Sequence, residues 1–382
     1  MGKKLPIGIQ EFEKLRTDGF LYVDKTEYVY QLVHENVPYY LSRPGRFGKS
    51  LLLSTLKAYW EGKRELFEGL AIERLEKDHP EAWKSYPVFC FDFHGVNDRN
   101  GNALEDSLHT QLRRWEAQYH CESAGVHFGE RFQNLLIASR KLTGLRSVIL
   151  VDDYDKPLMD AVNQPDLYKH NKEVFQGFFS TLKSFDEYIQ FVFITGVSKI
   201  HHASIFSGLN QLRDISMTRQ YAEICGMTEK EIDEYLADQV TAVADELHMT
   251  VQECRCALRK QYGGYHFHPD SEGVYNPYSF MGALLNKDFG SYWLKTGTPA
   301  FVAEIVRKAQ FDVRIFMDQT MFAGESVLKN YTDDFLDPVS LLYQTGYLTI
   351  TDYDHRRRRY TLGFPNEEVR RGFLESLSHT SR

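Results

Sequence analysis

At 382 residues the chain is longer than one hydrophobic core usually supports, so two or three domains are expected. Hydrophobic residues at 42%, aromatic at 14% and charged at 26% give the balance of a folded globular protein and exclude a disordered chain. A formal net charge of -8 excludes bulk attraction to nucleic acid or anionic lipid, so such a contact would need a local basic patch.

Over the first part of the chain, short apolar runs alternate with helical patterns. That is the signature of an α/β domain with a mainly parallel sheet. The expected strands are Val37–Leu41, Val88–Phe93, Ser147–Val151, Phe191–Thr195 and Leu212–Ser216. Helices are expected at Leu51–Trp60 and Lys172–Tyr188. In the first, Leu52, Leu56, Tyr59 and Trp60 share one helical face suited to packing on the sheet.

The first strand leads through Ser42-Arg43-Pro44-Gly45-Arg46-Phe47-Gly48-Lys49-Ser50 into a helix starting near Leu51. Phosphate binding requires this strand–loop–helix order, because loop N–H groups and the positive end of the helix dipole converge on an anion. Gly48 permits close backbone approach, Lys49 supplies a point charge, and the Ser50 hydroxyl can ligate magnesium. The full phosphate-loop pattern would place glycine where Arg43 stands, and Gly45 is a partial substitute. The expected nucleotide-binding stretch is Gly45, Arg46, Phe47, Gly48, Lys49, Ser50 and Leu51.

The third expected strand ends in carboxylates, Val151-Asp152-Asp153-Tyr154-Asp155. In phosphate-loop enzymes one aspartate at this place holds the magnesium shell, and the next acidic residue can polarise water. Asp152 is therefore the expected metal partner of Ser50, and Asp153 the expected base. An aspartate falls about one C–C bond, roughly 1.5 Å, short of a glutamate carboxylate. Misplacement on that scale can cost about a hundredfold in rate. Asp155 shares a face with Asp153 in an extended chain, so it is either a substitute base or a cap. Binding is thus expected more firmly than fast turnover.

The fourth strand ends Thr195-Gly196-Val197-Ser198-Lys199. Thr195 is the first choice to sense a γ-phosphate and Ser198 the second, while Arg46 and Arg213 are candidate cationic stabilisers. His201-His202 follow closely and read as a polar loop. After Met217 helices are expected to about Lys308, the first opened by a capping box with Thr228 as N-cap and Glu231 three residues on. Cys254, Cys256, His266 and His268 have a zinc-like spacing. However, residues two apart on a helix point about 200° from each other, so both thiolates would not reach one metal. The tail is expected to hold a short helix, Val339–Gln344, then β-like runs Tyr347–Thr351 and Tyr360–Leu362 flanking Arg356–Arg359. This suggests a small winged-helix-like module whose basic hairpin is a candidate DNA contact.

Arg43–Leu53, Val151–Leu158 and Thr195–Lys199 together resemble the AAA-ATPase-like family of predicted prokaryotic P-loop ATPases. Tyr22–Thr26, Ile205–Asn210, Tyr275–Pro277, Tyr292–Pro299 and Gly363–Val369 also resemble that family's segments, so the likeness spans nearly the whole chain. The resemblance implies a P-loop core of the AAA-like or STAND-like kind, helical and winged-helix-like parts, and ATP with Mg²⁺ as ligands. Departures are Gly45, where relatives often have arginine, and Asp153, where they usually have glutamate. Many relatives continue into a PD-(D/E)XK nuclease-like domain, which is expected to be missing from a chain ending at Arg382.

The expectation is therefore an α/β P-loop NTPase core at residues 1–218, a helical lid at 219–308 and a winged-helix-like module at 309–382. Its expected activity is ATP binding with slow Mg-dependent hydrolysis driving a conformational switch. The alternative is a non-hydrolysing ATP-gated module contacting DNA or protein through its tail. Five cysteines, Cys90, Cys121, Cys225, Cys254 and Cys256, do not form a disulfide framework and favour a reducing compartment. No run approaches the roughly 20 apolar residues of a membrane helix. Met1–Pro6 opens no signal peptide, so a soluble cytoplasmic protein is expected.

Overall fold

A computed structural model describes residues 3–35, 37–96, 101–122, 127–199, 202–207, 209, 212–293, 321–329 and 337–379. Part of the helical region expected up to Lys308, and of the tail beyond it, lies outside these residues, as do His201 and segments of the family-like stretches Ile205–Asn210 and Tyr292–Pro299.

The sheet that organises the molecule has five strands: β1 (Tyr39–Ser42), β2 (Val88–Asp92), β3 (Ser147–Asp152), β4 (Ile189–Gly196) and β5 (Arg213–Asp214). Their spatial order is β2-β3-β4-β1-β5, and every neighbouring pair is parallel. All of β1 and β3 is buried, which explains their uninterrupted apolar runs. β4 lies between β1 and β3, with Leu41 opposite Thr195 and Val151 opposite Ile194. The phosphate-loop segment and the acidic strand end therefore open on the same carboxyl edge of the sheet, where ligands of open α/β sheets bind.

Helices cover the sheet in chain order: α1 (Phe12–Thr17), α2 (Thr26–Glu35), α3 (Lys49–Trp60), α4 (Ala71–Leu75), α5 (Ala103–Gln118), α6 (Phe128–Thr143), α7 (Lys156–Asp160), α8 (Pro165–Ser180) and α9 (His202–Ile205). Leu52, Leu56, Tyr59 and Trp60 of α3 are buried as the apolar spacing predicts. Phe89 and Phe91 of β2 pack edge-on against Trp115 of α5 and Phe132 of α6. The helix expected at Lys172–Tyr188 instead starts at Pro165, whose fixed φ suits a first turn, and gives way to short 3-10 turns after Ser180.

Beyond the sheet come α10 (Glu229–Tyr235), α11 (Ala237–Glu246), α12 (Val251–Tyr262) and α13 (Pro277–Asn286). The Thr228–Glu231 capping box is formed, and a second, Thr250–Glu253, opens α12. Ile232, Leu236, Val240, Val243, Leu258 and Phe280 build a separate apolar cluster for this region. Cys254 is buried and Cys256 exposed on α12.

The last described elements are β6 (Met321–Gly324), α14 (Glu325–Lys329), α15 (Pro338–Gln344), β7 (Thr349–Asp354), β8 (Arg359–Gly363) and α16 (Glu367–His379). β6, β8 and β7 form an antiparallel sheet in that order. Apolar residues of this region, including Leu341 and Leu342 of α15, Tyr347, and Ile350 of β7, join the same cluster as the five-stranded sheet. Among the described residues no helix is long and apolar enough to cross a membrane.

Candidate functional site

The loop between β1 and α3 is shaped by two left-handed residues. Arg46 has φ +70° and Gly48, the N-cap of α3, has φ +96°. Glycine adopts such a φ without the Cβ clash that other residues meet. Phe47 is buried, edge-on to Tyr265 and Phe267, and its carbonyl accepts from Gly226 N at 3.1 Å. Arg46 is exposed, with its guanidinium 4.9 Å from the Tyr278 ring centre. The Gly45 carbonyl accepts from Trp293 Nε1 at 3.2 Å.

Arg43, which stands where the loop pattern wants glycine, is one of the most deeply buried cations in the chain. Its guanidinium donates to the carbonyls of Ser42, Ser216 and Tyr221 at 2.9, 2.7 and 2.8 Å and lies 4.0 Å from the Phe267 ring centre. The side chain ties the end of β1 to the segment after β5.

Lys49 Nζ donates to the Arg43 carbonyl at 3.1 Å and the Pro44 carbonyl at 3.4 Å, and lies 3.6 Å from Asp153 Oδ1. Ser50, one residue into α3, lies near the Asp152 carboxylate and favours its charged form. That carboxylate also accepts from Thr195 Oγ1 at 2.6 Å. Burial, then the charge of Asp153, pushes Asp152 above the ordinary aspartate range, while Ser50, Thr195 and Lys49 hold it back. Burial would also raise Asp153, but Lys49 and His94 more than offset it, so its carboxyl lies below that range. Asp153 takes a left-handed φ of +48°, and its Oδ1 is buried with no hydrogen-bond partner among the described residues. A non-glycine residue in that region is strained, and such strain clusters at functional sites.

Asp155 is 1% exposed, and its carboxylate accepts from Val197 N, Ser198 N and Ser198 Oγ at 3.1, 2.6 and 2.8 Å. Burial and the neighbouring Asp153 raise it to about 6. Gly196 makes the approach possible, since a Cβ there would sit 2.8 Å from Asp155 Oδ1. Thr195 is fully buried, with its hydroxyl on Asp152. Arg213 pairs with Glu35 at the outer edge of the sheet.

Of the expected residues, Gly45, Arg46, Gly48, Lys49, Ser50, Leu51, Asp153 and Asp155 line a cavity of about 470 Å³, whereas Asp152 lines an adjoining cleft that it shares with Ser50, and Phe47 and Thr195 line neither. Sequence reading missed three further contributors. The Pro6–Gln10 segment lines one side, and Pro277, Tyr278 and Met281 at the start of α13 line another. His94, just beyond β2, also lines the cavity, and its Nδ1 lies 3.1 Å from Asp153 Oδ2. The signal for His94 is the parallel register, which places Asp92 opposite Asp152 and so carries the next residues of both strands to one edge. The hydrogen bond to Asp153 raises the His94 pKa above the ordinary histidine value.

Two comparisons bear on this arrangement. The family described as "Predicted AAA-ATPase" matches residues 6–206. A protein of Azotobacter chroococcum mcd 1, described as "Uncharacterized protein in vnfD 5'region", is 33% identical over 378 residues. That match covers 98% of this chain and 70% of the relative.

Proposed function

Because the chain belongs to the family described as predicted AAA-ATPases, we propose that it binds ATP with magnesium in the cavity between the β1–α3 loop and the carboxyl end of β3, and hydrolyses it slowly. One observation carries this reading: Lys49, Ser50, Asp152 and Asp153, from segments about a hundred residues apart, meet at one mouth of the sheet. The oxygen donors fit a hard cation, since Ser50 and Asp152 face one cleft and Asp153 Oδ1, 3.6 Å from Lys49 Nζ, is buried with no hydrogen-bond partner among the described residues. A magnesium ion held by Ser50 and Asp152 supplies charge neutralisation on phosphate oxygens.

In this reading Lys49 leaves the Arg43 and Pro44 carbonyls and turns its ammonium to the phosphates. Gly45 to Leu51 provide the loop N–H groups and the start of the helix dipole. The apolar walls from Pro6–Ile9, Tyr278 and Met281 receive the base. Thr195 acts through Asp152, holding its Oδ1, and Asp155 fixes the loop after β4 through Ser198. His94 restores the reach that aspartate loses relative to glutamate. Asp153 holds Nδ1, which leaves Nε2 to take a proton from water. Arg46 is the exposed cation at the cavity.

Phosphate release under steady state tests this. Wild type should release phosphate above Lys49→Ala, and equal rates in the two would contradict hydrolysis. The second reading, an ATP-gated module without turnover, is favoured by one feature: the Asp153 carboxylate is already engaged by both Lys49 and His94. It predicts ATP binding by calorimetry with no release above Lys49→Ala.

Residues 1–218, 219–308 and 309–382 serve in this reading as core, lid and winged-helix-like module. The tail order of strand, two helices and hairpin, with Arg356–Arg358 at the hairpin tip, supports the last assignment. Contact with DNA falls to the hairpin, because Ser340–Gln344 of α15 are buried and Gln344 Oε1 accepts from Lys199 N at 2.8 Å. A steep salt dependence that flattens when Arg356–Arg359 are neutralised tests it.

A further inference from the structure

Away from the sheet edge, His34 on α2, Glu76 at the end of α4 and His79 in the following turn converge. One donor atom from each lies within 4.8 Å of the other two. The His34 and His79 rings are 4.5 Å apart, centre to centre. His34 Nε2 lies 3.0 Å from Glu76 Oε1 and 3.1 Å from Oε2.

Glu76 is the telling residue. It is 3% exposed, yet among the described residues no lysine or arginine forms an ion pair with it. A buried carboxylate is costly unless a cation or strong donors compensate it. Tyr59 donates to Oε1 at 2.6 Å, which fixes the carboxylate's orientation but brings no charge. His34 supplies a counter-charge only while doubly protonated. The Glu76 side opens on a cavity of about 1360 Å³ bordered by both signs of charge, among them Asp24, Glu27, Glu73 and Glu234 and the cations Arg74 and Lys77, which gives a metal ion a route from solvent.

We propose that His34, Glu76 and His79 form a binding site for a first-row divalent metal ion of the zinc class. Two imidazoles and a carboxylate are the donors such an ion prefers, whereas all-oxygen cages suit magnesium and calcium and thiolates suit softer ions. Bonds of about 2.0–2.2 Å place donors roughly 3–4 Å apart, so a shift of about 1 Å in the exposed His79 ring closes the site. Tyr59 takes the outer-shell role of orienting the carboxylate, and Tyr30, whose hydroxyl lies 3.1 Å from His79 Nε2, yields that nitrogen to the ion. Bound there, the ion ties α2 to the turn after α4 and, through Tyr59, to α3, the helix that begins at Lys49. Three protein ligands leave an open position toward the cavity.

The test uses the full chain stripped with a chelator and titrated separately with Zn²⁺ and Co²⁺. One equivalent of Zn²⁺ should bind and raise the melting temperature, and Co²⁺ should give the visible d–d absorption of nitrogen–oxygen coordination. His34→Ala and His79→Ala should each weaken binding by at least about tenfold. His79 is exposed, so that variant should fold, with circular dichroism as the check. His266→Ala, which lies elsewhere, should bind as wild type, and so should Lys49→Ala, whatever becomes of the nucleotide reading. No saturable binding overturns the proposal, and so does undiminished affinity in the His34→Ala/His79→Ala double variant.

Discussion

Among the described residues are two β-sheets that use charge in opposite ways. At the carboxyl edge of the parallel sheet several charged groups are buried or half-buried and answer one another: Lys49 with Asp153, Lys199 with Asp214, and Asp152 with the Thr195 hydroxyl. At the hairpin of the antiparallel sheet Arg356, Arg357 and Arg358 are exposed, and their nearest carboxylate, Asp354, is solvated too. Buried charges cost solvation and are kept where a ligand or a fixed geometry compensates them, whereas exposed pairs contribute little. The contrast directs a functional reading to the parallel edge. The two sheets are nevertheless joined, because Gly346 packs on Pro44 of the loop and Trp293 donates to the Gly45 carbonyl.

Substitutions at each end should expose this difference. Lys49→Ala is expected to have the largest effect, lowering phosphate release by roughly 10²–10³-fold, since a positioned cation at transferred phosphate is lost. His94→Ala should lower release by about 10²-fold with little change in nucleotide affinity. In wild type the His94 imidazole, followed by NMR, should titrate above the ordinary histidine range, and its midpoint should fall in Asp153→Asn, because the charge that raises it is gone.

Asp155 offers a pH test of the same edge. Its folded value of about 6 lies above that of an unfolded aspartate, so the fold disfavours the ionised form. Its effect on stability is absent below the unfolded value and turns unfavourable as pH rises toward and past 6. Denaturation from pH 4 to 7 should therefore show a falling contribution that Asp155→Asn lacks. At the junction of the sheets, Gly346 has φ +90°, and a Cβ there would sit 2.7 Å from Pro44 Cβ. Gly346→Ala should cost about 1–3 kcal/mol in a denaturant titration. Neutralising Arg356, Arg357 and Arg358 should change stability by no more than about 0.5 kcal/mol, the smallest effect of the series.

Much of the parallel sheet was legible because buried parallel strands read as apolar runs, and β3 ends in its acidic residues within one residue of expectation. The Thr228–Glu231 cap was legible for a similar reason, being a local reciprocal hydrogen bond with a fixed spacing. What stayed hidden is non-local. Arg43 reads as a defect in a loop pattern until Ser216 and Tyr221 supply their carbonyls from more than 170 residues away. His94 belongs to a different strand from the aspartate it meets, and Asp155 spends its carboxylate on a loop 43 residues on. β6, only four residues long, has no periodicity of its own and is defined by its pairing with β8.

The central claim is that Lys49, Ser50 and Asp152 belong to one site for a metal-chelated triphosphate. Calorimetric titration of ATP, with and without Mg²⁺, into wild type, Lys49→Ala and Asp152→Asn tests it most directly. Wild type should bind more tightly with magnesium, Asp152→Asn should lose that enhancement, and Lys49→Ala should lose most of the binding. Equal affinities in all three proteins, with the magnesium effect intact in Asp152→Asn, would contradict it.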